Sequence, residues 1–114
     1  MIPNEVTRTV SIRLTLVVLL SIDPERADEF EQFESSAATI MKRYGGKIER
    51  RVRFESPDDS SRPQELHVVT FPDHESFERY RRDPDLQALA ALRAKAIRRT
   101  VVWEGVDLSP FDVS

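Results

Sequence analysis

Cysteine is absent from this 114-residue chain, so it has no disulfide, no thiolate metal site and no cysteine nucleophile, and stability has to come from packing. An excess of one charge is missing too, since 17 Lys and Arg stand against 20 Asp and Glu, mixed along the chain to a net −3. That balance leaves no electrostatic footprint for nucleic acid or an anionic membrane, and neither is expected as a partner. No apolar run is long enough to span a bilayer. The nearest, LTLVVLLSI from Leu14 to Ile22, follows Arg8 and Arg13 but precedes acidic Asp23-Pro24-Glu25, where a secretory signal would carry small residues. A buried strand fits it better, and a soluble cytoplasmic protein is the expectation. Phosphate-loop, dinucleotide, HExxH and GxSxG patterns are also missing, and two histidines without a defined carboxylate spacing make a weak metal signal. No cofactor and no metal are therefore expected.

What is present suits one domain with one core. Residues 1–10, with Pro3 and Asn4 and no periodicity, read as an N-terminal arm, residues 11–106 as the domain and 107–114 as a tail. From Ser11 to Ser21, Ile12, Leu14, Leu16, Val18 and Leu20 alternate with residues that are themselves apolar in the second half, the pattern of a central strand. Asp23 and Pro24 then open a helix, along which Phe30, Phe33, Ala37, Ile40, Met41 and Tyr44 make an apolar stripe. Gly45-Gly46 ends it, glycine taking a left-handed cap without strain.

Lys47 to Glu55 alternates again, with Ile48, Val52 and Phe54 on one face and charged residues on the other, as suits an edge strand. Residues 56–63, with two prolines, read as a loop, and Leu66–Phe71 as a second strand apolar on both sides. Asp73 caps a short helix carrying Phe77 and Tyr80, Asp83-Pro84 starts a helix running to Ile97, and Arg99–Glu104 makes a last strand.

This order is strand, helix, strand, strand, helix, strand: an α+β, ferredoxin-like βαββαβ antiparallel sheet with both helices on one face. The first and third strands are central in that topology, and they are the two apolar ones here. Two helices cover only one sheet face, so the open face is expected to pair with a second copy in an isologous homodimer, a dimeric α/β barrel.

The run VVTFPDHESFERYRRDPDLQALAALR carries a further likeness. Its Phe71-Pro72 after a strand, Tyr80, the restart at Asp83-Pro84, Leu86-Gln87-Ala88-Leu89 and Arg93, together with Gly45-Gly46 upstream, resemble domain-of-unknown-function family 1330 of the dimeric α/β-barrel superfamily. The resemblance covers residues 12–106, while the acidic loop between Pro57 and Pro63 and the N-terminal arm depart from it. It implies a homodimeric ferredoxin-like fold without an assigned reaction. The wider superfamily includes cofactor-free monooxygenases, isomerases, haem-degrading enzymes and ligand-sensing domains, so fold alone does not fix function.

Among residues that could carry chemistry, Arg93 falls within the apolar arc of Leu86, Leu89, Ala90, Leu92, Ala96 and Ile97, and Glu34 intrudes into the stripe of the first helix. Both are expected to face one space, as a structural ion pair or with Arg93 anchoring a carboxylate or enolate through its bidentate donors. His67 stands on a central strand as a candidate base. His74 reads as a surface residue beside a cap. Tyr44 and Tyr80 could line a pocket with their polar ends inward, although such aromatics usually belong to cores. The candidate ligand-binding set is therefore Glu34, Tyr44, His67, Tyr80 and Arg93, with His67, Tyr80 and Arg93 the candidates for catalysis. Three functions follow: binding of a small, partly apolar, carboxylated metabolite between sheet and helices; a cofactor-independent monooxygenase or isomerase acting on an aromatic or enolisable molecule; and dimerisation without a ligand.

Overall fold

The computed structural model describes residues 13–55, 61–108, 110 and 111. The expected N-terminal arm and most of the loop at 56–63 lie outside them. Strand β1 (Leu14–Ile22) leads through a 3-10 turn at Pro24–Arg26 into helix α1 (Ala27–Lys42), followed by β2 (Lys47–Arg53) and β3 (Glu65–Phe71). Three short helices come next, α2 (His74–Arg81), α3 (Pro84–Gln87) and α4 (Ala90–Ala96), before β4 (Ile97–Gly105). Every strand pairing is antiparallel and the order is β2-β3-β1-β4, so the two apolar strands lie in the middle of a ferredoxin-like α+β sheet.

The core follows from the two periodicities. Leu16, Leu20 and Ile22 of β1 and Val69 and Phe71 of β3 alternate toward α1, which returns Phe30, Phe33, Ala37, Ile40 and Met41 at three- and four-residue steps. Each of these side chains larger than Ala37 contributes roughly 1.5–3 kcal/mol on burial. Three aspartates start the helical pieces. Asp23 accepts from the Glu25 amide at 3.0 Å, Asp73 from Ser76 at 2.8 Å and Asp83 from Asp85 at 2.7 Å. At the far end of α1, Gly45 takes φ +75° and the Gly46 amide returns to the Met41 carbonyl at 3.0 Å.

Two departures from the sequence reading shape the site. The alternation expected along β2 breaks at a register shift between Ile48 and Arg50: Ile48 pairs with Val69, Arg51 with His67 and Arg53 with Glu65. A bulge adds one residue to one strand and reverses the side-chain order beyond it. Arg51 and Arg53 therefore turn to the helix side of the sheet, while Val52 moves to the other face and is 36% exposed. The helix expected from Pro84 to Ile97 is likewise divided at Ala88-Leu89, and Ile97 already belongs to β4. In α4, Leu92 packs on the core and Ala96 is buried, so Arg93, one position beyond Leu92, falls at the edge of the stripe and is exposed rather than central.

Candidate functional site

Between α1 and the sheet, flanked by α2, α3 and α4, lies a cavity of about 550 Å³, within the range of small-molecule sites. Its interior is mostly apolar, with Leu16, Val18, Phe33, Met41, Val69 and Phe77 among the walls. The exposed lining residues Arg81, Arg82, Gln87, Ala90, Arg93 and Val102 mark its rim. Five polar residues from four elements interrupt the apolar surface: Glu34 of α1, His67 of β3, Tyr80 and Glu78 of α2, and Thr100 of β4.

His67 is 2% exposed and lies between two carboxylates. Its Nε2 is 2.8 Å from Oε1 of Glu65, and its Nδ1 is 3.6 Å from Oε1 of Glu34. Glu65 is equally buried but well paired: Arg51 reaches it at 3.1 Å, and Arg53 binds its other oxygen. Arg51 also clamps Glu31 of α1 with two bonds of 2.8 and 3.3 Å. Burial alone would raise the Glu65 carboxyl, but the bonds from His67, Arg53 and Arg51 outweigh it and hold the group below its ordinary range. A carboxylate fixed as an anion only accepts, so His67 Nε2 carries the proton of that bond.

Glu34 has the opposite environment. Burial pushes its carboxyl from 4.5 up to about 7; Arg51 and Arg93 oppose the rise, and the charges of Glu65 and Glu31 add to it. No direct ion pair joins Glu34 to Arg93, whose Nη2 instead donates to the Thr100 hydroxyl at 2.6 Å. The structural ion pair expected between them is therefore replaced by Glu34 beside an imidazole and Arg93 on a neutral hydroxyl.

Tyr80 packs its ring on Phe71 with centroids 5.4 Å apart, and its hydroxyl has no hydrogen-bond partner among the described residues. Burial, reinforced by the Glu34 charge and opposed by Arg93, raises its pKa well above the phenolic value, so the hydroxyl stays a donor. At the rim, Arg81 is paired with Glu78 at 3.1 Å, whereas Arg82 and Arg93 have no acidic partner among the described residues.

The structure thus brings Glu34, His67, Tyr80 and Arg93 to one cavity and leaves Tyr44 outside it. The Tyr44 hydroxyl donates to buried Asp83 at 2.5 Å, tying α1 to the start of α3, with Arg43 on the same carboxylate at 3.0 Å. His74 is exposed, 3.4 Å from Glu104. The sequence reading missed Glu65, Arg51 and Arg82. Glu65 had a usable signal, because residues two apart on a strand share a face, so Glu65-x-His67 sets a carboxylate beside the imidazole. Among the described residues, no group of three or more His, Asp or Glu side chains converges as a metal site. The two carboxylates near His67 approach different ring nitrogens and share no common point.

A family model, Domain of unknown function (DUF1330), matches residues 16–106. The chain belongs to the DUF1330 family. Solved structures agree on the fold of this DUF1330 protein. A Rhodopseudomonas palustris protein of unknown function superposes with a TM-score of 0.73 at 16% identity, over 96% of this chain and 97% of that one. A dabb family protein with a ferredoxin-like fold from Mesorhizobium loti gives 0.62 at 19%, over 86% and 99%. SnoaB, a cofactor-independent oxygenase from Streptomyces nogalater, gives 0.59 at 18%, over 90% and 97%. At these identities the likeness is one of fold. No curated protein matches this DUF1330 sequence, and among its described residues no helix is long and apolar enough to cross a membrane.

Proposed function

We propose that this DUF1330 protein binds a small carboxylic acid with an apolar body, drawn from the cytoplasmic metabolite pool. The observation that carries the reading is the rim: Arg82 and Arg93 stand at the mouth of an apolar cavity without acidic partners among the described residues, in a chain that has more acids than bases. Guanidinium groups recognise carboxylates through paired donors, and the walls behind them offer nothing to a second charge. Inside, the free Tyr80 hydroxyl supplies one donor for a neutral oxygen of the ligand. The test is a calorimetric comparison of an aryl- or alkyl-substituted acid with its primary amide. The acid should bind about tenfold tighter or better, near 1.4 kcal/mol, and Arg93→Gln should remove most of that preference. Equal affinity for acid and amide would refute the reading.

A second copy of the chain is the proposed partner. Val17, Leu19, Leu66, Val68, Val101 and Trp103 share the sheet face that the helices leave open, and Trp103 is 60% exposed. An apolar face of this kind is the usual mark of an association surface. Light scattering on a sizing column should give twice the chain mass, and Trp103→Glu should halve it. A wild-type monomer at micromolar concentration would end this proposal.

A further inference from the structure

We propose that Glu34 is the proton-transfer residue of the cavity, taking the proton α to the carbonyl of an enolisable 2-keto acid whose carboxylate sits at the Arg93 rim. The inference rests on the carboxylic-acid reading above and adds to it a reaction and a base. Three placements carry it. Glu34 lines the cavity from α1, and among the described residues no arginine or lysine lies within ion-pair distance of it; its close neighbour is His67 Nδ1, at 3.6 Å. His67 is held by Glu65 through its other nitrogen, so in the neutral ring the Nδ1 lone pair faces Glu34. The Tyr80 hydroxyl lines the same cavity as a donor with no partner among the described residues.

In the step this arrangement supports, an ionised Glu34 oxygen removes the C3 proton of the keto acid. The C–H electron pair becomes the C2–C3 double bond, and the carbonyl pair moves onto oxygen. The resulting enolate accepts a hydrogen bond from Tyr80 while Arg93 holds the carboxylate. Glu34, now protonated beside Nδ1, returns its proton to the enolate oxygen, giving the enol, or to C3, giving back the ketone. Nothing is oxidised or reduced, and no other reactant is needed. The charged and titratable groups facing Glu34 are Glu31 on its own helix, Arg51 of β2, Glu65 and His67 of β3, Tyr80 of α2 and Arg93 of α4. A carboxyl titrating near neutrality is suited to both taking and giving a proton at physiological pH.

The test uses phenylpyruvate with the full-length protein in deuterium oxide. Proton NMR follows loss of the C3 signal, and calorimetry follows binding separately. Wild-type protein should speed the exchange about 100-fold or more over buffer, as positioned general bases do, with a rate that rises through about pH 7 as Glu34 ionises. Glu34→Gln should return exchange to the buffer rate while phenylpyruvate affinity changes by less than about threefold, under 0.7 kcal/mol. Glu34→Asp, which keeps the acid but shortens its reach, should retain part of the rate. If phenylpyruvate binds but exchanges no faster than in buffer, or if Glu34→Gln exchanges at the wild-type rate, the role of Glu34 is overturned and the binding reading stands. If phenylpyruvate does not bind, the carboxylic-acid reading falls, and the proton transfer with it.

Discussion

Replacing Glu34 with Gln removes one titration from the fold, and the sign of the effect separates a buried acid from a structural anion. In the folded protein the Glu34 carboxyl lies near 7, against 4.5 for an ordinary glutamate, and its side chain is 14% exposed. A folded value above the unfolded one means that the folded state binds the proton more tightly between those two limits. Stability contributed by the protonated group is therefore complete below about pH 4.5 and is lost as pH rises through 7. Between 4.5 and about 7, at 1.36 kcal/mol for each tenfold change in proton affinity, the difference corresponds to roughly 3 kcal/mol. Glutamine keeps the shape and cannot ionise, so Glu34→Gln should gain on wild type by roughly that amount between pH 4.5 and 8.5. Urea denaturation at five pH values would show it as a relative midpoint change of roughly 1–3 M, given slopes of 1–3 kcal/mol per M. Every other titrating group is present in both proteins and cancels in the difference. A flat difference curve would mean that Glu34 ionises as freely as in water. A curve of opposite sign would mean that Arg51 and Arg93 hold it as an anion, and the base assigned to the cavity would be lost.

Glu65→Gln should destabilise the fold by roughly 1–3 kcal/mol at neutral pH, because a buried anion bonded to His67, Arg51 and Arg53 is replaced by an amide that cannot satisfy them. Since the carboxyl of Glu65 is depressed, its stabilisation is present above the ordinary carboxylate range and disappears as pH falls through its folded value, so the gap between the two proteins should narrow in acid. A gap that widened in acid would contradict the assignment. Gly46→Ala should cost roughly 1–3 kcal/mol in the same denaturation assay, since its Cβ would lie 2.4 Å from both Met41 Cγ and Phe71 Cε1. A neutral result would show that the junction between α1 and β2 can move away from the Phe71 ring.

The fold was legible in the sequence because its signals are local and repeat. The second half of Ser11–Ser21 and the run Leu66–Phe71 read as apolar on both sides and became parts of the central strands, and Asp23, Asp73 and Asp83 announced helical starts by residue type alone. Part of the site was legible by the same logic, since Glu34 breaks an otherwise apolar stripe and His67 stands within a buried strand. The charge network was not, because it depends on one extra residue in β2. A bulge leaves no trace in a pattern of alternating Arg and Glu, where either register looks acceptable. Only the pairing of Arg51 with His67 and of Arg53 with Glu65 decides it. Arg93 was misplaced for a related reason: a continuous helical wheel from Pro84 cannot foresee a break at Ala88-Leu89, which sets the guanidinium at the rim.

The bulge also explains how two glutamates on either side of one imidazole come to differ. Without it, Arg51 and Arg53 would point to the open face of the sheet, and Glu65 would be a buried carboxylate with only His67 for company. Such a group would be neutralised by burial, like Glu34. With both arginines turned inward, Glu65 remains an anion, fixes the Nε2 proton of His67 and adds a negative charge that helps to keep Glu34 protonated. The proton affinity of the cavity's free acid therefore depends on a backbone irregularity in an edge strand. Replacing both arginines, Arg51→Gln together with Arg53→Gln, should let burial raise the Glu65 carboxyl above its ordinary range, which carbon-13 NMR of its carboxyl carbon would report directly. An unchanged Glu65 midpoint in the folded double variant would refute this dependence on the two arginines.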